Sequence, residues 1–454
     1  MIKSINPANG KELKSYREMS LEEITSIIEK ADEAFNYWSR TDFSTRRACM
    51  QNAAAILKER KDKYAKLMTE EMGKMIKQSY AEVEKCIWVC DYFAENAETF
   101  LADAIIDTEA ANSFVTFQPL GVVLAIMPWN FPFWQVFRFA APNLMAGNAG
   151  ILKHSSNTTG CALAIEEIFR DAGFPENLFR SVIVSSKSVG EIIANKKIAA
   201  VTLTGSVSAG RSVAEKAGAH LKKTVLELGG SDPYLVLEDA DLELAAETCV
   251  NSRLINAGQS CIAAKRFIVV ESVYDEFEKL FVEKMKAKKM GDPFDEKNDL
   301  GPQASVNLRD ELHKQVEESI SKGARLLLGG KIPEGEGAYY PPTILSNVKK
   351  GMPAYDEEMF GPVAALIKVK DEEEAINTAN DTVFGLGAAV FTKDIKRGEK
   401  IAATRLKAGC CFVNELVKSD PRLPFGGIKD SGYGRELSTY GIKEFMNIKT
   451  VYVK

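Results

Sequence analysis

Val122-Val123-Leu124-Ala125-Ile126-Met127-Pro128-Trp129-Asn130-Phe131-Pro132 opens the stretch on which the fold turns, because the apolar run continues to Phe139 and reaches the length of a membrane span. Its interior excludes a span. Pro128 and Pro132 break the run, and Asn130, Gln135 and Arg138 would each carry a polar or charged group into lipid. A buried strand, a turn and a helix opened by Pro132 fit the same residues. The pattern recurs: short apolar runs at 122–126, 151–153, 179–184, 200–203 and 225–228, separated by helical stretches, predict a parallel, doubly wound sheet. A second α/β region starts near Asp232, with strands expected through Val270 and near Ala365 and Ala389. Two interlocked α/β domains then enclose a crevice where a cofactor and a substrate can meet.

Outside this core, Ser20 and Glu23 form a capping box ahead of the helical pattern Ile24, Ile27, Ile28 and Phe35. Residues 113–117 and 448–453 alternate as two-sided strands. Exposed edges of this kind are covered by another chain, so a homodimer or homotetramer is expected.

At 454 residues the chain exceeds one core, and 45% hydrophobic with 27% charged residues describes an ordinary globular protein. A net charge of −5 argues against a nucleic-acid surface. Eight cysteines without regular spacing make no disulfide framework, which places the protein in a reducing cytoplasm. No metal site is expected: Cys86 and Cys90 share a helical face but lack partners, and read as packing. The N-terminus lacks an apolar signal region, and nothing directs export.

Chemistry enters at Asn256-Ala257-Gly258-Gln259-Ser260-Cys261, a small-residue turn that presents one thiol before an apolar strand. Cys261 reads as a nucleophile, with Lys265 and Arg266 just beyond it to favour a thiolate; the alternative is a buried, inert cysteine. Glu227 ends an apolar strand, where burial would raise its pKa towards that of a general base; capping a helix or pairing with a lysine is the other reading. Asn130 and the Cys261 N–H are donors suited to an oxyanion. Thr204-Gly205-Ser206 and Gly210 join a strand to a helix whose N-terminus can face a pyrophosphate, although their spacing is not the dinucleotide fingerprint. Gly385-Leu386-Gly387 imitates that fingerprint and reads as a strand entry.

Taken together, Pro128-Trp129-Asn130-Phe131-Pro132, Leu203-Thr204-Gly205-Ser206, Leu226-Glu227-Leu228-Gly229-Gly230, Gly258-Gln259-Ser260-Cys261, Glu358-Met359-Phe360-Gly361-Pro362 and Pro424-Phe425-Gly426-Gly427 occur in the order found in aldehyde dehydrogenases. The chain resembles that family over nearly its whole length. The resemblance implies a dinucleotide-binding domain (1–112 and 121–231), a catalytic domain (232–436) and oligomerisation strands (113–120 and 437–454). It implies that Cys261 attacks the aldehyde, Asn130 holds the oxyanion and Glu227 activates water. It further implies that Trp129, Lys153, Ser156, Gly205, Ser206, Gly210, Glu358 and Phe360 lie along NAD or NADP.

Where NAD-preferring members commonly read Lys-Pro-x-Glu, this chain has Lys153-His154-Ser155-Ser156. No carboxylate stands there to repel a 2′-phosphate, so NADP is expected to be accepted. His154 either flanks that phosphate or is a satisfied surface residue. Ala263 replaces a cysteine through which some relatives form a regulatory disulfide.

Within the family, Trp134-Gln135-Val136-Phe137-Arg138 and Lys418-Ser419-Asp420-Pro421-Arg422 resemble the succinate-semialdehyde type. Arg138, on an apolar helix, needs an anion. The substrate's far carboxylate is the expected partner, helped by Ser419 and by Gln135 or Arg422; a structural salt bridge is the alternative. Rival readings are a dehydrogenase of glutarate semialdehyde or of a neutral aliphatic aldehyde, a coenzyme-A-acylating enzyme, and a silent structural homologue.

Overall fold

In the computed structural model, which describes residues 1–454, the strand Val122–Met127 sits inside a six-stranded sheet. The order across it is Gly432–Tyr433, Lys223–Glu227, Ile198–Thr204, Val122–Met127, Ala149–His154 and Phe179–Ser181. All neighbours are parallel except Gly432–Tyr433. Helices cover these strands, so Val122–Met127 and Ile198–Thr204 are buried almost throughout. That two-sided burial is why they read as continuous apolar runs.

From Val122–Met127 the chain winds outward through Ala149–His154 to Phe179–Ser181. It then returns to lay Ile198–Thr204 and Lys223–Glu227 on the opposite side. Where the winding reverses, the connections leave adjacent strands in opposite directions and a crevice opens at their C-terminal ends. Asn130 follows one of these strand ends and Gly205 the other.

A seven-stranded sheet forms the second layer: Arg325–Leu328, Thr343–Ser346, Val363–Val369, Arg266–Val270, Pro233–Val236, Gly387–Phe391 and Cys410–Val413. Only Arg325–Leu328 runs antiparallel. Strand alternation splits its side chains between two cores: Tyr234, Val236, Phe267 and Val269 pack on one face, Leu235, Ile268 and Val270 on the other. Gly387–Phe391 is a buried strand, as the apolar context of Gly385-Leu386-Gly387 suggested. The two sheets are joined by more than a linker. Gly432–Tyr433, which follows the second sheet in the chain, crosses back to pair with Lys223–Glu227.

The alternating segments pair with each other. Met446–Val453 lies antiparallel on Asn112–Pro119, from Met446 opposite Pro119 to Val453 opposite Asn112. Ile448, Tyr452 and Val453 are exposed. At the other end of the chain, Ser20 caps the helix Leu21–Trp38 with the reciprocal Glu23 bond of a capping box. No helix is long and apolar enough to cross a membrane. The 122–139 run is the strand, the turn and the fully buried helix Trp134–Met145.

Candidate active site

The Cys261 turn follows the helix Leu242–Leu254, and its geometry is enforced from outside. Asn256, Ala257 and Gly258 all take left-handed backbone conformations, which cost roughly 1–2 kcal/mol per residue away from glycine. A Cβ on Gly258 would collide with the Gly361 carbonyl, so that position requires glycine. Asn256 offsets its own strain: its Nδ2 donates to the Asn130 carbonyl at 2.7 Å and to the Gln259 carbonyl at 3.2 Å, and its N–H to Gln78 Oε1 at 3.0 Å. The Cys261 turn is thereby tied to the loop that carries Asn130.

Burial pushes the Cys261 thiol up to about 12, against the opposing pull of Lys265 and then Arg138. Lys265 favours the thiolate as expected, but burial outweighs it, and the same expectation for Arg266 is corrected. Lys265 Nζ donates to the carbonyls of Ser260 and Cys261, at 2.8 and 2.7 Å, and lies 3.4 Å from Glu358. Arg266 turns away and binds the carbonyls of Ser231, Thr378 and Ala379.

Asn130 is buried beside the turn. Its Nδ2 donates to the Gln259 carbonyl at 3.0 Å, which leaves the second N–H of the amide. The Cys261 N–H has no backbone acceptor. Gln135 donates to Asn130 Oδ1 at 3.0 Å and so fixes which end of the amide presents its N–H groups. His154 also supports this loop. Its Nε2 bonds the Pro132 carbonyl at 2.9 Å, while Nδ1 meets the Ser155 N–H and the Thr158 hydroxyl. Burial lowers His154 to about 4, so it is a neutral interior brace; neither the surface nor the phosphate reading holds.

Glu227 is buried at its strand end, and neither carboxylate oxygen has a hydrogen-bond partner. Burial, then the neighbouring Glu436 carboxylate, hold it well above the usual carboxylate range. Glu436 in turn forms a buried ion pair with Arg138 Nε. Arg138 also donates from Nη2 to Thr204 Oγ1 at 3.4 Å and lies 4.7 Å over the Phe425 ring. Of the two readings of Arg138, the structural salt bridge is the one present: Glu436, distant in sequence, compensates it, where the substrate's far carboxylate was the expected partner. Arg422 is corrected as well, for it is exposed, bound to Asp420 and stacked on Trp88.

Two cavities meet at this centre. One, of about 250 Å³, is lined by Trp129, Asn130, Gly205, Ser206, Glu227, Glu358 and Phe360 among others. Ser206 caps the helix Val207–Ala219 by accepting the Ala209 N–H at 3.3 Å, which leaves the N–H groups of Val207 and Ser208 to meet phosphate oxygens. Glu358 is held by the Gly230 N–H at 3.0 Å, and Phe360 packs edge-on to Trp129 at 5.8 Å. These residues fit a dinucleotide. Lys153, half-buried, and Ser156, exposed, sit at the end of the neighbouring strand, and Lys153 has no carboxylate partner. Gly210 lies in the same helix, and a Cβ there would meet Leu228 at 2.5 and 2.6 Å. The glycine permits close helix-to-strand packing beside the cavity.

The second cavity, about 260 Å³, is lined by Phe131, Trp134, Gln135, Arg138, Ser419 and Phe425, and by Lys85, which sequence reasoning missed. Cys261 and Gln135 line both. Reasoning from sequence also missed Lys74 and Glu82, a buried ion pair whose Glu82 Oε1 accepts the N–H groups of Phe133 and Trp134 at 2.9 Å each. The available signal was Glu82 on the same helical face as Ser79, Val83 and Cys86, where a charge needs a partner.

Residues 1–451 match the profile of the aldehyde dehydrogenase family. A probable succinate-semialdehyde dehydrogenase [NADP(+)] of Synechocystis is 50% identical over 452 residues, covering 100% of this chain and 99% of that protein. Succinate semialdehyde dehydrogenase [NAD(P)+] Sad of Escherichia coli is 47% identical, covering 99% of this chain and 97% of Sad. The crystal structure of succinic semialdehyde dehydrogenase from Streptococcus pyogenes, in complex with NADP+, superposes with a TM-score of 0.98 at 38% identity, covering 100% of both chains. With the motifs, the doubly wound sheets and a full-length match in agreement, this chain belongs to the aldehyde dehydrogenase family.

Proposed function

We propose that this protein oxidises succinate semialdehyde to succinate with NADP or NAD as hydride acceptor. The observation that carries the reading is the position of Cys261, on the wall shared by a cavity that fits a dinucleotide and a cavity rimmed with cations and aromatic rings. A thiol in that place touches both reactants. The relatives' names supply the choice of aldehyde.

Cys261 Sγ adds to the aldehyde carbon and loses its proton as the C–S bond forms. The carbonyl oxygen becomes an oxyanion, held by the Asn130 amide and the Cys261 N–H. A nicotinamide held in the cavity of Trp129, Glu358 and Phe360 would supply the acceptor for the hydride that leaves this carbon. With the hydride gone, the oxyanion collapses to a thioester on Cys261. Glu227, once ionised, takes a proton from a water that attacks the thioester, and the C–S bond breaks to release the carboxylate. Glu227 is thus a base for water, which favours hydrolysis over acyl transfer to a thiol. The same reading makes the protein a cytoplasmic homo-oligomer, a dimer or a tetramer; the exposed apolar residues along Met446–Val453 and the eight free cysteines support it.

Absorbance at 340 nm with succinate semialdehyde and either cofactor tests the activity. Cys261→Ala should abolish oxidation while retaining cofactor binding, and Glu227→Gln should give one burst of reduced cofactor and then stall. Steady turnover by Glu227→Gln near the wild-type rate would remove Glu227 from hydrolysis.

A further inference from the structure

The charges around the second cavity cancel in pairs, with one exception. Arg138 is matched by Glu436, Lys418 by Glu415 at 3.0 Å, and Glu82 by Lys74. Asp420, just beyond, is matched by Arg422 at 2.6 Å. Lys85, on the helix Ile76–Phe100, has no carboxylate within ion-pair distance. Its ammonium lies 4.3 Å over the Trp134 ring and donates to Ser419 Oγ at 2.8 Å. One cation therefore faces the chamber uncompensated, among Phe131, Trp134, Ile262 and Phe425.

We propose that Lys85 is the residue that binds the distal carboxylate of the substrate, with the Ser419 hydroxyl as its partner. This rests on the semialdehyde reading above. An ammonium has three N–H donors, of which Ser419 takes one. Because Ser419 accepts from Lys85, its own O–H remains to be donated. A carboxylate placed between them receives two hydrogen bonds and the one unmatched positive charge in the cavity, while Cys261 on the same wall faces the aldehyde end. Burial, then repulsion from Arg138, lowers Lys85 to about 8 against the weaker pull of Glu82 and Asp420, whose own ion pairs are with Lys74 and Arg422. Arg138 lines the chamber as well, but Glu436 already answers its charge.

The test compares kcat/KM for succinate semialdehyde with that for butyraldehyde, which has the same carbon count and no carboxylate. In Lys85→Met, whose side chain still covers Trp134, the ratio should fall about 10- to 100-fold. Lys85→Gln provides the same readout if the methionine variant does not fold, and Lys85→Arg should restore most of the ratio. Succinate should inhibit butyraldehyde oxidation competitively against the aldehyde in the wild type, and far more weakly in Lys85→Met. A wild type without preference for the semialdehyde would overturn the substrate reading itself. A wild type with that preference, kept by Lys85→Met together with succinate inhibition, would overturn the role of Lys85 alone.

Discussion

Replacing Arg138 by leucine separates a structural cation from a substrate-binding one. In the structure Arg138 is the sole ion-pair partner of Glu436, both are buried, and Glu227 stands close enough that the two carboxylates repel. Removing the guanidinium leaves Glu436 without compensation, a change that costs about 3–5 kcal/mol when a buried pair is broken on one side. At about 2–4 °C per kcal/mol for domains of roughly this size, thermal denaturation should shift down by about 6–20 °C. The loss should shrink at lower pH: without Arg138 the Glu436 carboxyl rises further, and protonating it removes the buried charge. Arg138→Leu combined with Glu436→Leu should recover most of the stability, since replacing both partners by apolar groups is far cheaper than orphaning one. In kinetics the single variant should lose succinate semialdehyde and butyraldehyde activity by similar factors, because the damage falls on Glu227 and the shared machinery. Calorimetry on the two variants, with parallel 340 nm assays on both aldehydes, checks this. An Arg138→Leu enzyme that melts like the wild type and loses only the semialdehyde would refute the reasoning, and would return Arg138 to the substrate.

In the proposed mechanism Glu227 serves as a base only when ionised, and its pKa is raised, so the hydrolytic rate should climb with pH through a midpoint above the ordinary carboxylate range. Glu436→Gln removes the repelling neighbour and frees Arg138, and should move that midpoint towards acid; a pH profile of the hydrolysis-limited rate that stays in place would show the two carboxylates to be uncoupled. Ser156→Glu should weaken NADP by about 5- to 30-fold relative to NAD, as a carboxylate facing a phosphate dianion costs about 1–2 kcal/mol there, and equal losses in cofactor titrations would place the 2′-phosphate elsewhere. Gly210→Ala should destabilise by about 1–3 kcal/mol in denaturant titration, because its Cβ would enter the Leu228 side chain, with cofactor affinity falling less than stability.

What the residues declared by themselves were features set by local pattern. The strand, turn and helix of 122–139 were legible because two-sided burial produces unbroken apolar runs and proline breaks them. The Ser20 capping box needs only residues three apart. Cys261, Glu227 and Asn130 stood out because reactive or polar groups in apolar or small-residue surroundings need a reason to be there, and their order resembled one family. Tertiary structure alone decided which charges meet. That Arg138 needs an anion was legible, but not which one, because Glu436 lies far along the chain and reaches it only after the segment around Gly432–Tyr433 crosses back to the first sheet. His154 read as a neighbour of the phosphate or as a surface group, and is instead buried with bonds to Pro132 and Thr158. The thiol of Cys261 seemed primed by its sequence neighbours, yet desolvation outweighs Lys265, and Arg266 points to other carbonyls. Lys85 carried no signal, because a lysine on a long helix is ordinarily solvated. The physical reason is common to all four: periodicity is written in neighbouring residues, whereas Coulomb and desolvation energies depend on distances that arise only when segments remote in sequence are packed together.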